Sequence, residues 1–104
     1  MINWLKSFFI DRTFGIARSQ FWDEVRNEHI KQYPKCAICG KIRVLVSNHV
    51  HHILPFWKYP ELETKTSNLI TLCPRHHFEL GHFFSWHSWN KDIRQLVENI
   101  RNRP

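Results

Sequence analysis

A chain of 104 residues and 12.7 kDa with 42% hydrophobic and 23% charged residues has the composition of one small globular domain, too short for a repeat array or a multidomain enzyme. Its apolar runs, such as Phe8 to Ile10, fall far short of the roughly 20 residues that span a bilayer, so no membrane segment is expected. Fifteen Lys and Arg against nine Asp and Glu leave a net charge of +6, with the basic residues spread along the chain, and a polyanion is the partner this charge favours.

Residues 1–18 mix aromatic side chains with Lys6, Asp11 and Arg12 without a period and read as a short arm. They lack the apolar stretch and small-residue cleavage site of a secretory leader, so a reducing, cytoplasmic setting is expected. A helix is predicted over 19–33, with Ser19 as its cap: Phe21 or Trp22, Val25, His29 and Ile30 recur near the 3.6 period, and Tyr33-Pro34 stops it. The β-branched run Arg43 to Ile53 predicts one or two strands ended by Pro55. Residues 56–67 form a long loop, and Asn68 to Leu72 a second strand. Cys73-Pro74 opens a helix that Gly81 is placed to end. A last helix over 90–103 has Asn90 as cap and an apolar stripe of Ile93, Leu96, Val97 and Ile100, which reads as core.

The chemistry lies in the histidines and cysteines. Seven of the eight histidines fall between His49 and His87. Three cysteines cannot all pair, and two of them stand as Cys36-Ala-Ile-Cys39 before Gly40, the spacing of a metal knuckle. Successive residues on a strand point to opposite faces, so His51 and His52 are poorly placed to serve one metal together; one ligand beside one unligated imidazole is the more natural pairing. On the following helix Cys73 and His76 share a face at i, i+3, whereas His76 and His77 point about 100° apart.

In order, Cys36-x-x-Cys39, His51-His52-Ile53-Leu54-Pro55, Asn68-Leu69 and Leu72-Cys73-Pro74-Arg75-His76-His77 resemble the zinc-knuckle branch of the HNH endonuclease family over residues 36–82. The resemblance implies an α+β fold: a small ββα-metal nuclease core with a zinc knuckle, flanked by an N-terminal and a C-terminal helix, the whole of 1–104 forming one domain. It also implies that His52 is the general base, that His51 and His77 hold the catalytic ion, and that Asn68 positions the base through backbone hydrogen bonds. That ion would be Mg²⁺ or Mn²⁺, with Ni²⁺ or Zn²⁺ as alternatives. Cys36, Cys39, Cys73 and His76 would close a structural Zn²⁺ site, His76 standing where the family's commonest pattern has a fourth Cys.

Arg75, Arg43 and Lys58 are candidate nucleic-acid contacts. His82 joins them, with its role open between a phosphate, the metal and a plain surface position. The function expected is metal-dependent hydrolysis of DNA in a phage or bacterial cell, the alternative being a zinc-stabilised nucleic-acid-binding module without nuclease chemistry. Oligomeric state cannot be read from the sequence.

Overall fold

The computed structural model describes residues 18–103. Helix α1 (Trp22–Gln32) is followed by strand β1 (His49–His52), strand β2 (Leu69–Leu72), a short helix α2 (Pro74–His76) that runs on as a π-helical turn (His77–Gly81), and helix α3 (Ile93–Arg101). Two 3₁₀ turns, Pro60–Leu62 and Thr66–Asn68, break the long loop between the strands. The predicted arm lies outside the described residues except for Arg18.

The strands pair antiparallel, with His49 opposite Leu72, Val50 opposite Thr71, His51 opposite Ile70 and His52 opposite Leu69. Alternation therefore puts His49, His51, Ile70 and Leu72 on one face and Val50, His52, Leu69 and Thr71 on the other. On the second face α1 packs, its Trp22 ring 4.4 Å from that of His52, while Thr71 Oγ1 donates to Tyr33 O just past the helix end. On the first face lie the π turn, which brings Gly81 against His51 and Leu72, and α3. Ile93 and Val97 of α3 join Cys36, Ile53, Ile70 and Leu72 in the core cluster. Arg94 ties α3 to the start of β2 by donating from Nη2 to Ser67 O and Leu69 O.

Several predicted boundaries move. The strand expected from Arg43 shortens to His49–His52: residues 43–47 find no partner strand among the described residues, and Val44 and Leu45 are 93% and 97% exposed. β propensity alone cannot make a strand where no edge is available to complete its hydrogen bonds. Helix α1 begins at Trp22, and its cap residue Phe21 makes no side-chain cap bond. Ser19 Oγ instead accepts the Phe21 N–H, in a turn one step earlier. Asn90 likewise accepts the Asp92 N–H in the turn before α3, and Asp92 takes the cap position.

The α3 stripe yields a stability test. Ile93 is fully buried in the core cluster, so Ile93→Ala should cost about 2–5 kcal/mol by urea unfolding. Gln95→Ala on the exposed side should stay within about 0.5 kcal/mol.

Candidate active site

The knuckle is built by backbone bonds: Cys36 N donates to Lys41 O, and Gly40 N to Cys36 O, with Gly40 at φ +74 where a side chain would be strained. Asn48, 1% exposed, donates from Nδ2 to both Pro34 O and Lys41 O and so fastens the knuckle's flanks to the residue before β1. Cys36, Cys39, Cys73 and His76 converge as a set able to hold a metal. Cys39 Sγ lies 4.0 Å from Cys73 Sγ, and His76 Nδ1 lies 3.3 Å from Cys73 Sγ and 3.7 Å from Cys36 Sγ. Ligands about 2.0–2.3 Å from a tetrahedral zinc are separated by about 3.3–3.8 Å, so the donors suit one ion. Burial pushes the Cys36 thiol up, but backbone N–H groups of Cys39, Cys73 and Ile38 and the His76 side chain outweigh it and bring it down to about 6, toward the thiolate a metal needs. Burial and the neighbouring Cys36 raise Cys73.

The second cluster is made of imidazoles alone. His51, His77 and His82 each offer a ring nitrogen, all within 4.8 Å of one another. His82 Nδ1 lies 2.8 Å from Ser88 O, and because a carbonyl can only accept, Nδ1 carries the proton and Nε2 keeps its lone pair. That Nε2 lies 3.2 Å from His77 Nε2, while His77 Nδ1 lies 2.9 Å from His49 Nδ1. The His77 tautomer sets the roles: if Nδ1 donates to His49, Nε2 turns a lone pair toward His82, and if Nδ1 accepts, Nε2–H donates to His82. His51 is 1% exposed, and its Nε2 is buried without a hydrogen-bond partner. A Cβ on Gly81 would come within 3.2 Å of that same Nε2, so the absence of a side chain there leaves its approach open. A buried nitrogen without a partner, beside the Nε2 lone pair of His82, is costly by itself and fits a cation well.

The sequence leaves His82 open between a phosphate, the metal and a surface position, and the structure brings it among these nitrogens. The spacing His77-x₄-His82 is i, i+5, which an α-helix would spread well apart around its axis. The π turn His77–Gly81 takes up the extra residue and closes the gap. Burial, then the neighbouring imidazoles, lowers His51 to about 2 and His77 to about 3. Burial also lowers His49 and His82.

On the opposite face His52 sits between Trp22 and Phe56, ring centroids 4.4 and 5.8 Å away. Its Nε2 lies 2.9 Å from Glu63 O, so Nε2 holds the proton and Nδ1 the lone pair. Burial brings His52 down to about 4, below the value near 6.5 that the sequence alone leads one to expect. Asn68 bridges the loop: Leu54 N donates to its Oδ1, and its Nδ2 donates to Leu54 O and Leu62 O. The sequence reading missed the support of Glu63, 4% exposed, whose carboxylate accepts from Ser19 N at 2.7 Å and Arg18 Nη1 at 3.2 Å. Arg18 also lies over the Phe56 ring at 3.8 Å. His49 was missed as well, although its i, i+2 spacing from His51 put it on the ligand face.

The proposed basic contacts are more dispersed. Arg75 is exposed and pairs with Glu79 through Nε. Arg43 Nη1 approaches Ser47 O, and Lys58 Nζ lies 5.2 Å from the Trp89 ring.

Two short antiparallel strands, a following helix and two clusters of metal donors define a ββα-metal fold. The model of the HNH endonuclease family matches residues 36–83, and this segment of the chain is an HNH domain. Comparison with curated proteins and with solved structures returns no match. HNH domains belong to nucleases, and both clusters are suited to metal. Among the described residues, no helix is long and apolar enough to cross a membrane.

The imidazole burial sets an acid limit. The unfolded chain takes up protons near pH 6.5, whereas folded His51, His52 and His77 resist until about 2, 4 and 3. Each folded value is depressed, so the stability is whole above the unfolded value and is lost as pH falls toward the folded ones, by about 1.4 kcal/mol per pH unit per imidazole. With loosely held divalent ions removed, the melting temperature should fall steeply as pH drops below about 6.5. Melting curves followed by circular dichroism check this, and a flat profile down to about pH 5 would contradict neutral burial of these rings.

Proposed function

We infer that this protein is a metal-dependent endonuclease that hydrolyses DNA phosphodiester bonds with His52 as general base. The observation that carries the reading is the unpartnered, buried Nε2 of His51 facing His77 and His82, with a neutral, oriented His52 next to it in the strand. His51, His77 and His82 would hold one divalent ion, which when bound supplies charge to polarise the scissile phosphate and stabilise the leaving oxygen. Three nitrogen donors favour Mn²⁺, Ni²⁺ or Zn²⁺ over Mg²⁺.

The chain's own part is proton handling. With Nε2–H committed to Glu63 O, His52 takes the proton of the attacking water at Nδ1, and Glu63 O then stabilises the imidazolium. Trp22 and Phe56 fix the ring plane, and Asn68 and the Arg18–Glu63 pair hold the two loop segments that present Leu54 and the Glu63 carbonyl. Cys36, Cys39, Cys73 and His76 serve a closed zinc site that fastens the knuckle to the start of α2. The net charge of +6 supports DNA as the partner, with Arg75, Arg43 and Lys58 contributing to phosphate attraction. The second reading, a binding module without chemistry, has no observation in its favour that the nuclease lacks.

His52→Ala should slow plasmid cleavage by about 10² to 10⁴-fold while divalent-ion binding persists, whereas His51→Ala should lose both. Titration calorimetry with Mn²⁺ beside the cleavage assay separates the two roles, and wild-type cleavage by His52→Ala would sink the reading.

The two metal sites should also part company. Mild chelation should stop cleavage with the fold intact, and added Mn²⁺ should restore it, while one zinc per chain stays bound by elemental analysis. Cys36→Ser should lose that zinc and melt well below the wild type. Protein purified without zinc, with Cys36→Ser melting normally, would show that the knuckle holds no ion.

A further inference from the structure

Beyond the π turn the chain does something costly. The Phe84 N–H bonds back to Phe78 O and closes a seven-residue turn, one residue longer than the closure that ends many helices through a left-handed residue, usually glycine. Here that residue is Phe83, at φ +50, and Phe84 follows at φ +64. Large aromatic side chains at consecutive left-handed positions are strained, and strain of this kind gathers at working surfaces. The rings gain no compensating burial: Phe83 is 55% exposed, Phe84 65% and Trp86 49%.

These rings are not scattered. Phe84 meets Phe78 edge-on at 5.9 Å, and Phe78 lies 4.8 Å from Trp86. Trp86 in turn lies 5.3 Å from His77 and 4.9 Å from His82. An aromatic ridge thus runs unbroken from the imidazole cluster out to solvent, on a chain of net charge +6. The rings meet edge-on or tilted, so each exposed ring offers its own face, and an aromatic face recognises another aromatic face. In paired duplex DNA the faces of the bases are covered by their neighbours, and only edges reach the grooves; an unpaired base offers its face.

We propose that the Phe84–Phe78–Trp86 ridge, with the exposed Phe83 next to it in sequence, is a stacking platform for unpaired bases next to the phosphate held at the imidazole cluster, so that the substrate class is DNA with a single-stranded region at the cut. The proposal rests on the nuclease reading and adds to it which DNA the site takes. Stacking uses faces rather than hydrogen bonds, so the platform selects for strandedness and is tolerant of sequence.

The test measures binding by fluorescence anisotropy in the cleavage-deficient His52→Ala protein, on a single-stranded oligonucleotide and on the same sequence as a duplex. Replacing the two outermost of the three exposed rings, Phe83→Leu with Phe84→Leu, keeps apolar volume but removes their π faces. Single-strand affinity should fall on the order of ten-fold or more, with duplex affinity little changed. Phe84→Trp should retain the single-strand affinity. In the Phe-intact protein, an oligonucleotide with abasic residues throughout should bind as weakly as the plain one binds the double variant. An unchanged single-strand affinity, or an equal loss on both DNA forms with an unchanged melting temperature, would overturn the platform and leave the nuclease reading standing. Failure of the Phe-intact protein to bind either DNA form would overturn both.

Discussion

The pairing of His51 with Ile70, carried over four residues on each strand, decides on which face of the sheet His49, His51 and His52 fall. Because side chains alternate across a sheet, a slip of one residue would carry His51 to the α1 face and His52 to the metal-donor face. The register is held from several sides. Ile70 and Leu72 are committed to the core with Ile93 and Val97, Thr71 is bonded to the end of α1, and Ala37 N of the knuckle donates to Thr71 O. Two strands of this length would be marginal alone. Their geometry is fixed by what packs on both sides.

That constraint explains how so small a domain keeps so many buried polar groups. His51, Asn48, Glu63, Asn68 and Thr71 all lie in the interior beside a modest apolar cluster. Glu63, Asn68 and Thr71 are bonded to backbone or to Arg18 and so offset their desolvation. His51 Nε2 and Asn48 Oδ1 are the buried atoms left over among the described residues. The first faces the other imidazoles, where a cation would satisfy it. The second belongs to the residue that joins the knuckle to β1.

Much of this was legible in the sequence where chemistry is local. Cys36-x-x-Cys39, Cys73 with His76, and the opposite orientations of His51 and His52 follow from spacing and period. Helices α1 and α3 could be found from their stripes, and α2 from Cys73-Pro74 and Gly81. The exposed run Val44 to Val46 misled, because strand propensity says nothing about whether a partner edge exists. Glu63 was invisible for a different reason: its role depends on Arg18 and Ser19, brought to it across more than forty positions of chain. His82 was seen but not placed, since the turn that seats it departs from the regular helix on which spacing arguments rely.

That departure bears on how sequences with this arrangement should be compared. Counting four residues from His77, as a regular helix invites, lands on Gly81, the position that must stay small beside His51. The imidazole comes one residue later. A register fixed by regular-helix spacing would therefore score the ligand as missing and the glycine as its replacement. Two chains differing by one residue in this interval can present the same trio of nitrogens, one through a π turn and one through an α turn, and an alignment gap there marks a change of helix type with the site conserved in space.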